Sequence, residues 1–178
     1  QFAFERNLSD ARASPVAAVS YPYVVFACGS RNGFPVSAID VYNMQDNSLR
    51  QTIFRRPELV GSDFGIASVG NTMYIRYNNY LWMLRLHTLE LTQPLATPFM
   101  AGGNNFAIGN NLVFYGQSDF LDIFYFWETT TNDHFQMAAP YQSGKHVTLV
   151  WKNFLVIYLG DLVIIELPTV WTALTDRD

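Results

Sequence analysis

Hydrophobic positions along this chain fall into short dense bursts separated by small polar turns. "VVFAC", "LVFYG", "IFYFW", "LVIYLG" and "LVIIEL" are near-continuous runs of Val, Ile, Leu and aromatic residues. Such runs predict β-strands buried on both faces, rather than the alternating strands of a sheet with one wet side. No segment carries the 3.6-residue periodicity of an amphipathic helix. "VGNTMYI" (Val69–Ile75), "IGNNLVFYG" (Ile108–Gly116) and "VWKNFLVIYLG" (Val150–Gly160) repeat one phrase, a pair of strands around a tight turn. Gly-Asn suits a two-residue hairpin turn, because Gly accepts the positive φ of the first central position.

The phrase belongs to a longer repeat. Four units align, at approximately 11–57, 58–98, 99–140 and 141–178. Pro57, Pro98 and Pro140 close three of them, at spacings of 41 and 42. Asp40, Asn79, Asp122 and Asp161 stand before each third strand, at spacings of 39, 43 and 39. Two-residue turns are expected at Tyr21-Pro22, Gly70-Asn71, Gly109-Asn110 and Trp151-Lys152, so that a tryptophan replaces the turn glycine in the fourth unit. Each unit reads strand, tight turn, strand, turn, strand, loop, strand. In the second unit the strands are placed near Phe64–Val69, Thr72–Tyr77, Tyr80–His87 and Leu89–Pro94.

Four antiparallel strands repeated about every 40–45 residues describe the blade of a β-propeller. The expectation is an all-β fold, a β-propeller of four-stranded antiparallel blades, with about four repeats in a single domain or propeller fragment spanning 1–178. A β-sandwich competes, but it calls for alternating strands and gives no reason for a repeating phase.

Composition adds to this picture. Only 15% of the residues are charged and 16% are aromatic; Lys145 and Lys152 are the sole lysines. A surface this poor in charge points to extra burial against other domains or subunits, although a β-rich chain full of aromatic strand residues has the same composition. The net charge of −4 and the lack of a basic stripe argue against nucleic-acid binding, which needs clustered Lys and Arg. Cys28, the single cysteine, forbids an intrachain disulfide and sits in the apolar run "YVVFACG" as a small buried hydrophobe. Residues Phe154–Trp171 are apolar enough to suggest a membrane span. Asp161 and Glu166 interrupt them, and Gly160-Asp161 reads as a turn between strands, so no membrane insertion is expected.

The first unit resembles a kelch repeat. Arg12 precedes its first strand, "YVVFACGS" ends in glycine, an insertion follows, and "AIDVYNMQDNSLRQT" is similar to the family's Asp-Val-Tyr strand and the turn after it. The resemblance covers all four units and weakens after the first. The family's double glycine is reduced to one in Cys28-Gly29, Tyr115-Gly116 and Leu159-Gly160, and is absent at Arg76-Tyr77. Leu49, Leu91 and Phe135 stand near the place of its outer-strand tryptophan, which only Trp171 in the fourth unit fills. The resemblance implies a propeller, usually with more than four blades. "QFAF" at the start aligns with "QTIF" (Gln51–Phe54), an outermost strand, while "VWTAL" (Val170–Leu174) reads as the fourth unit's own outer strand. A spare strand fits a fragment of a larger ring, a small four-bladed ring, or closure by another chain.

Candidate chemistry is sparse. His87, His134 and His146 lie in different units without metal-ligand spacing, and are expected at the surface. The copper oxidase chemistry known on kelch-like scaffolds would need converging His and Tyr ligands. Gly102-Gly103-Asn104-Asn105 lacks the Lys-Ser/Thr of a phosphate loop and reads as the entry to a strand. Cys28 has no evident His partner and no adjoining cation. The repeated Asp40, Asn79, Asp122 and Asp161 read as turn caps before a ring of functional carboxylates. No cofactor or metal is therefore called for.

Trp82 and Trp127 lie within strands, where packing is the default; Trp151 is expected to project from a turn, with Lys152 beside it. Trp151 and Lys152 form the first candidate binding loop. The insertion Ser30–Ser37, with Arg31, Asn32 and Phe34, forms the second; a plain solvent-exposed turn around Asn32-Gly33 is the bland reading of it. Asn7-Leu8-Ser9 is the only N-glycosylation sequon and makes Asn7 a candidate acceptor. With the non-Met start, it favours an extracellular or secreted setting, with the cytoplasm not excluded. The functional expectation is a non-catalytic protein-interaction or structural module, a subunit of an extracellular homomeric assembly that self-associates through blade edges. The alternatives are a glycan-binding, lectin-like propeller and the propeller domain of an enzyme.

Overall fold

The computed structural model describes residues 8, 12–46, 48–52, 64–77, 80–92, 95–96, 105–118, 121–138, 147–151, 154–158 and 162–166. Every regular element among them is a strand. The first blade comprises β1 (Val16–Ser20), β2 (Tyr23–Ala27), β5 (Ile39–Asn43) and β6 (Ser48–Thr52), hydrogen-bonded in that order. Between β2 and β5 the chain makes a small ribbon, β3 (Ser30–Arg31) and β4 (Phe34–Pro35). The second blade runs β7 (Phe64–Val69), β8 (Thr72–Tyr77) and β9 (Tyr80–Arg85), with its edge in two pieces, β10 (Glu90–Leu91) and β11 (Leu95–Ala96), both paired with β9. The third is β12 (Asn105–Ile108), β13 (Asn111–Ser118), β14 (Leu121–Glu128) and β15 (His134–Ala138). The fourth shows β16 (Val147–Trp151), β17 (Phe154–Tyr158) and β18 (Leu162–Glu166). All pairings are antiparallel; apart from β2 with β5, which flank the inserted ribbon, and β11 with β9, they join chain neighbours, and the sheets are arranged as a four-bladed β-propeller.

The inner strands lie side by side: β1 against β7, β7 against β12, β12 against β16. Two hydroxyls stitch the first seam, with Ser20 Oγ donating to Gly70 O at 2.7 Å and Ser68 Oγ to Val19 O at 2.8 Å. The sheets pack face to face through three apolar layers. Val25, Ile39 and Val41 of the first blade meet Met73, Ile75 and Trp82 of the second. Ala67, Tyr74 and Leu81 meet Leu112, Phe114 and Trp127. Val113, Phe124 and Phe126 meet Leu155 and Ile157. A middle blade therefore has two dry faces, and β8 buries residues on both sides, Met73 and Ile75 on one and Tyr74 and Arg76 on the other.

The hairpins follow turn chemistry. Gly70 and Gly109 take φ of +53° and +57° in the turns before β8 and β13. Tyr21-Pro22, joined by a cis peptide bond, turns β1 into β2. The ribbon turns on Asn32 and Gly33, both at positive φ (51° and 79°), as a tight Asn-Gly hairpin requires. Gly29, at φ +106°, has a close neighbour: a Cβ there would lie 2.7 Å from the Ala13 carbonyl oxygen. That carbonyl accepts from Ser30 N at 2.9 Å, clamping the ribbon's base to the chain ahead of β1.

Several sequence expectations shift. In the second unit β9 ends at Arg85 instead of running to His87, because Leu86–Leu89 form the next turn, closed by Leu89 N donating to Arg85 O. In the fourth unit Trp151 is the last residue of β16 and pairs with Phe154. It therefore matches Ser20, Val69 and Ile108, the residues ahead of the turns, and does not replace the turn glycine. Asp40 lies inside β5, buried, with its carboxylate on Arg12; Asp122 lies inside β14. The stretch from Phe154 folds as the paired strands β17 and β18 up to Glu166. Asn79, Asp161, Pro57, Pro98, Pro140, "QFAF" and "VWTAL" lie outside the described residues.

Candidate functional site

The exposed face of the fourth blade is the most distinctive surface. The pairing places Trp151 beside Phe154 and Glu166, Val156 beside Ile164, and Tyr158 beside Leu162, all on one side of the sheet. Val150, Leu155, Ile157, Val163 and Ile165 point to the other side, into the layer shared with the third blade. On the first side Trp151 is 57% exposed, Ile164 59% and Leu162 63%, with Tyr158 also open. The Trp151 ring stacks on Phe154, with centroids 6.2 Å apart and planes at 24°. Trp151 thus stands on the blade face at the inner hairpin, where it can make flat aromatic contacts. Lys152 lies outside the described residues.

The second candidate, the β3–β4 ribbon, carries Arg31, Asn32 and Phe34 on its exposed surface, with Phe34 three-quarters open. Trp151 and Phe34 sit on the fourth and the first blade, and no described contact brings the two candidates together. Asn7 lies outside the described residues.

Deeper in the first blade lies a polar arrangement that sequence reading missed. Arg12 Nη2 donates to Asp40 Oδ2 at 2.7 Å and Nη1 to the Ala38 carbonyl at 2.8 Å, with both side chains fully buried. Arg12 Nε is buried without a hydrogen-bond partner. Twenty-eight residues separate the partners, so no local pattern announces them. Arg76 is likewise buried, on the β8 side that faces the third blade.

Cys28 is buried next to this pair. Burial pushes its thiol up to about 12 from the ordinary 9.0, and the nearby Arg12 charge only partly counters that. A cation does stand near the thiol in space, although none adjoins it in sequence, and desolvation wins. Cys28 is therefore expected to ignore a thiol reagent at pH 8 in the native protein and to react once on unfolding, as a timed colorimetric titration would show. The raised value also carries a stability sign. The native state holds this proton more tightly than the unfolded chain, so the contribution is whole below pH 9 and is lost between pH 9 and 12.

His87 is exposed in the turn after β9 and meets Tyr23 edge-on; His134 is exposed on β15 and stacks on Trp127 at 6.0 Å. Trp82 and Trp127 are buried between blades, as strand residues of this type should be. His146 lies outside the described residues, as does the Gly102-Gly103 loop; Asn105 opens β12. Among the described residues no three His, Cys, Asp or Glu side chains gather as metal ligands.

Fold and surface together define the class, a four-bladed antiparallel β-propeller with an apolar face uncovered at its last blade. No protein-family model matches the chain, and no curated protein matches it in sequence.

Proposed function

We propose that this protein is a non-catalytic interaction and structural module on a kelch-like propeller, working as a subunit of an extracellular homomeric assembly. The observation that carries this reading is the uncovered face of the fourth blade, where Trp151, Tyr158, Leu162 and Ile164 are each more than half exposed. Contiguous apolar surface of this kind marks protein contact sites. The low charge of the chain removes the repulsion that would keep copies apart. Size-exclusion chromatography with light scattering tests it: a mass of two or more chains is expected at micromolar concentration, and a stable monomer there overturns the homomeric reading.

Glycan binding is the second reading, favoured by the open Trp151 ring on Phe154. Aromatic faces of this kind stack on sugar rings. A glycan array with no signal, or with a signal unchanged by Trp151→Ala, removes it.

A further inference from the structure

The hairpin register makes the blades superimposable position by position, and this equivalence identifies what the fourth blade lacks. Tyr23, Thr72, Asn111 and Phe154 each follow an inner turn, so counting from them aligns the second strands. Counting across to the third strands aligns Ile39, Leu81, Phe124 and Leu162 as one position. Val41, Met83, Phe126 and Ile164 form another. Each set faces the next blade along the chain. Ile39, Leu81 and Phe124 are sealed there at 1% exposure or less, whereas Leu162, which occupies the same position, is 63% exposed. The fourth blade keeps the side chains of a blade-to-blade contact with no blade of the described residues against them.

The complementary surface is on the first blade. In the later blades the positions facing the preceding blade are Met73 and Ile75, Leu112 and Phe114, and Leu155 and Ile157, all essentially sealed. Their equivalents in the first blade are Val24 and Phe26, which are only half-buried. On the same side, Val19 is 57% exposed and Leu49 is open on β6. Three times within the chain a forward face of one type packs on a backward face of the other type. Among the described residues one forward and one backward face are left over.

We infer that the forward face of the fourth blade docks on the backward face of the first blade of a second copy, so that chains join head to tail in the geometry of their own internal seams. This rests on the homomeric reading above and specifies its contact. The surface is heterologous, two different faces in each contact, and so extends into a ring or a chain rather than a face-to-face dimer. The occupant is a second copy because the surface that matches the fourth blade, position by position, is the one this same chain leaves open.

Two single substitutions at exposed positions test it, Ile164→Asp on the forward face and Val19→Asp on the backward face, each checked for unchanged circular dichroism and thermal midpoint. Light scattering at about 50 micromolar is expected to show each variant alone as a monomer, since each lacks one half of every contact. An equimolar mixture is expected to form a two-chain species, because the intact forward face of Val19→Asp meets the intact backward face of Ile164→Asp. If Val19→Asp alone remains a dimer, the fourth blades pair with each other; the head-to-tail contact then falls and the homomeric reading stands. If both variants assemble like the wild type, the contact lies elsewhere and the proposal likewise falls alone. A monomeric wild type overturns both.

Discussion

Leu81→Ala is expected to destabilise the fold by about 2–5 kcal/mol, whereas Leu162→Ala should cost less than about 1 kcal/mol in the isolated subunit. The two leucines hold the same position in their blades, so the comparison keeps residue type, strand and register constant. Only the covering differs: Leu81 is fully buried between the second and third blades, and Leu162 is open. Deleting the Leu81 side chain removes its apolar burial and leaves a cavity among Phe114, Ala67 and their neighbours. Truncating Leu162 removes surface that water already reaches. Urea unfolding of both variants at low concentration measures the difference. Repeating it at high concentration adds information, because a partner covering Leu162 would make its cost rise with protein concentration.

Arg12→Ala is expected to cost about 3–5 kcal/mol, since it strands the buried Asp40 carboxylate without its guanidinium. Asp40→Ala should be similarly harmful by leaving the buried Arg12 charge unpaired. The joint replacement Arg12→Met with Asp40→Leu is expected to be milder than either single change, because it removes both desolvated charges together and fills the space with apolar atoms. Thermal or urea denaturation of the three variants checks the ordering. A double variant as unstable as the sum of the singles would show that the two charges do not act as a pair.

The architecture was legible because blades write themselves twice, in strand composition and in turn chemistry. Gly70-Asn71 and Gly109-Asn110 fixed the hairpins to the residue, and the apolar runs "LVFYG" of β13 and "IFYFW" of β14 announced a blade with neighbours on both sides. In the fourth unit the turn carries neither glycine nor proline, and the repeat phase places Trp151 one residue too far along, in the turn instead of the strand. Asp40 was misread for a related reason. Its spacing shares the phase of Asn79, Asp122 and Asp161, but phase does not report environment, and its partner Arg12 comes from a segment outside the blade's four strands. The surface that matters most, the fourth blade's forward face, looks in sequence like any interior face. "LVIIEL" is as apolar as the buried runs, and only packing shows that Leu162 and Ile164 stand more than half exposed.

The strictly sequential pairing of strands has a kinetic consequence. Every blade is a meander, interrupted only by the short β3–β4 ribbon in the first and the two-piece edge of the second, and each described seam joins blades adjacent in sequence. Few contacts must wait for distant segments to meet, so the ordering entropy is met in small instalments and the barrier to folding should be low for an all-β chain. Stability then spreads by nearest-neighbour coupling, as in other repeat architectures. The second and third blades, clamped from both sides, are expected to form the slow-exchanging centre. Amide protection, read by hydrogen exchange, is expected to decline outward from them, with the first and fourth blades, each held on one face, opening before the middle two.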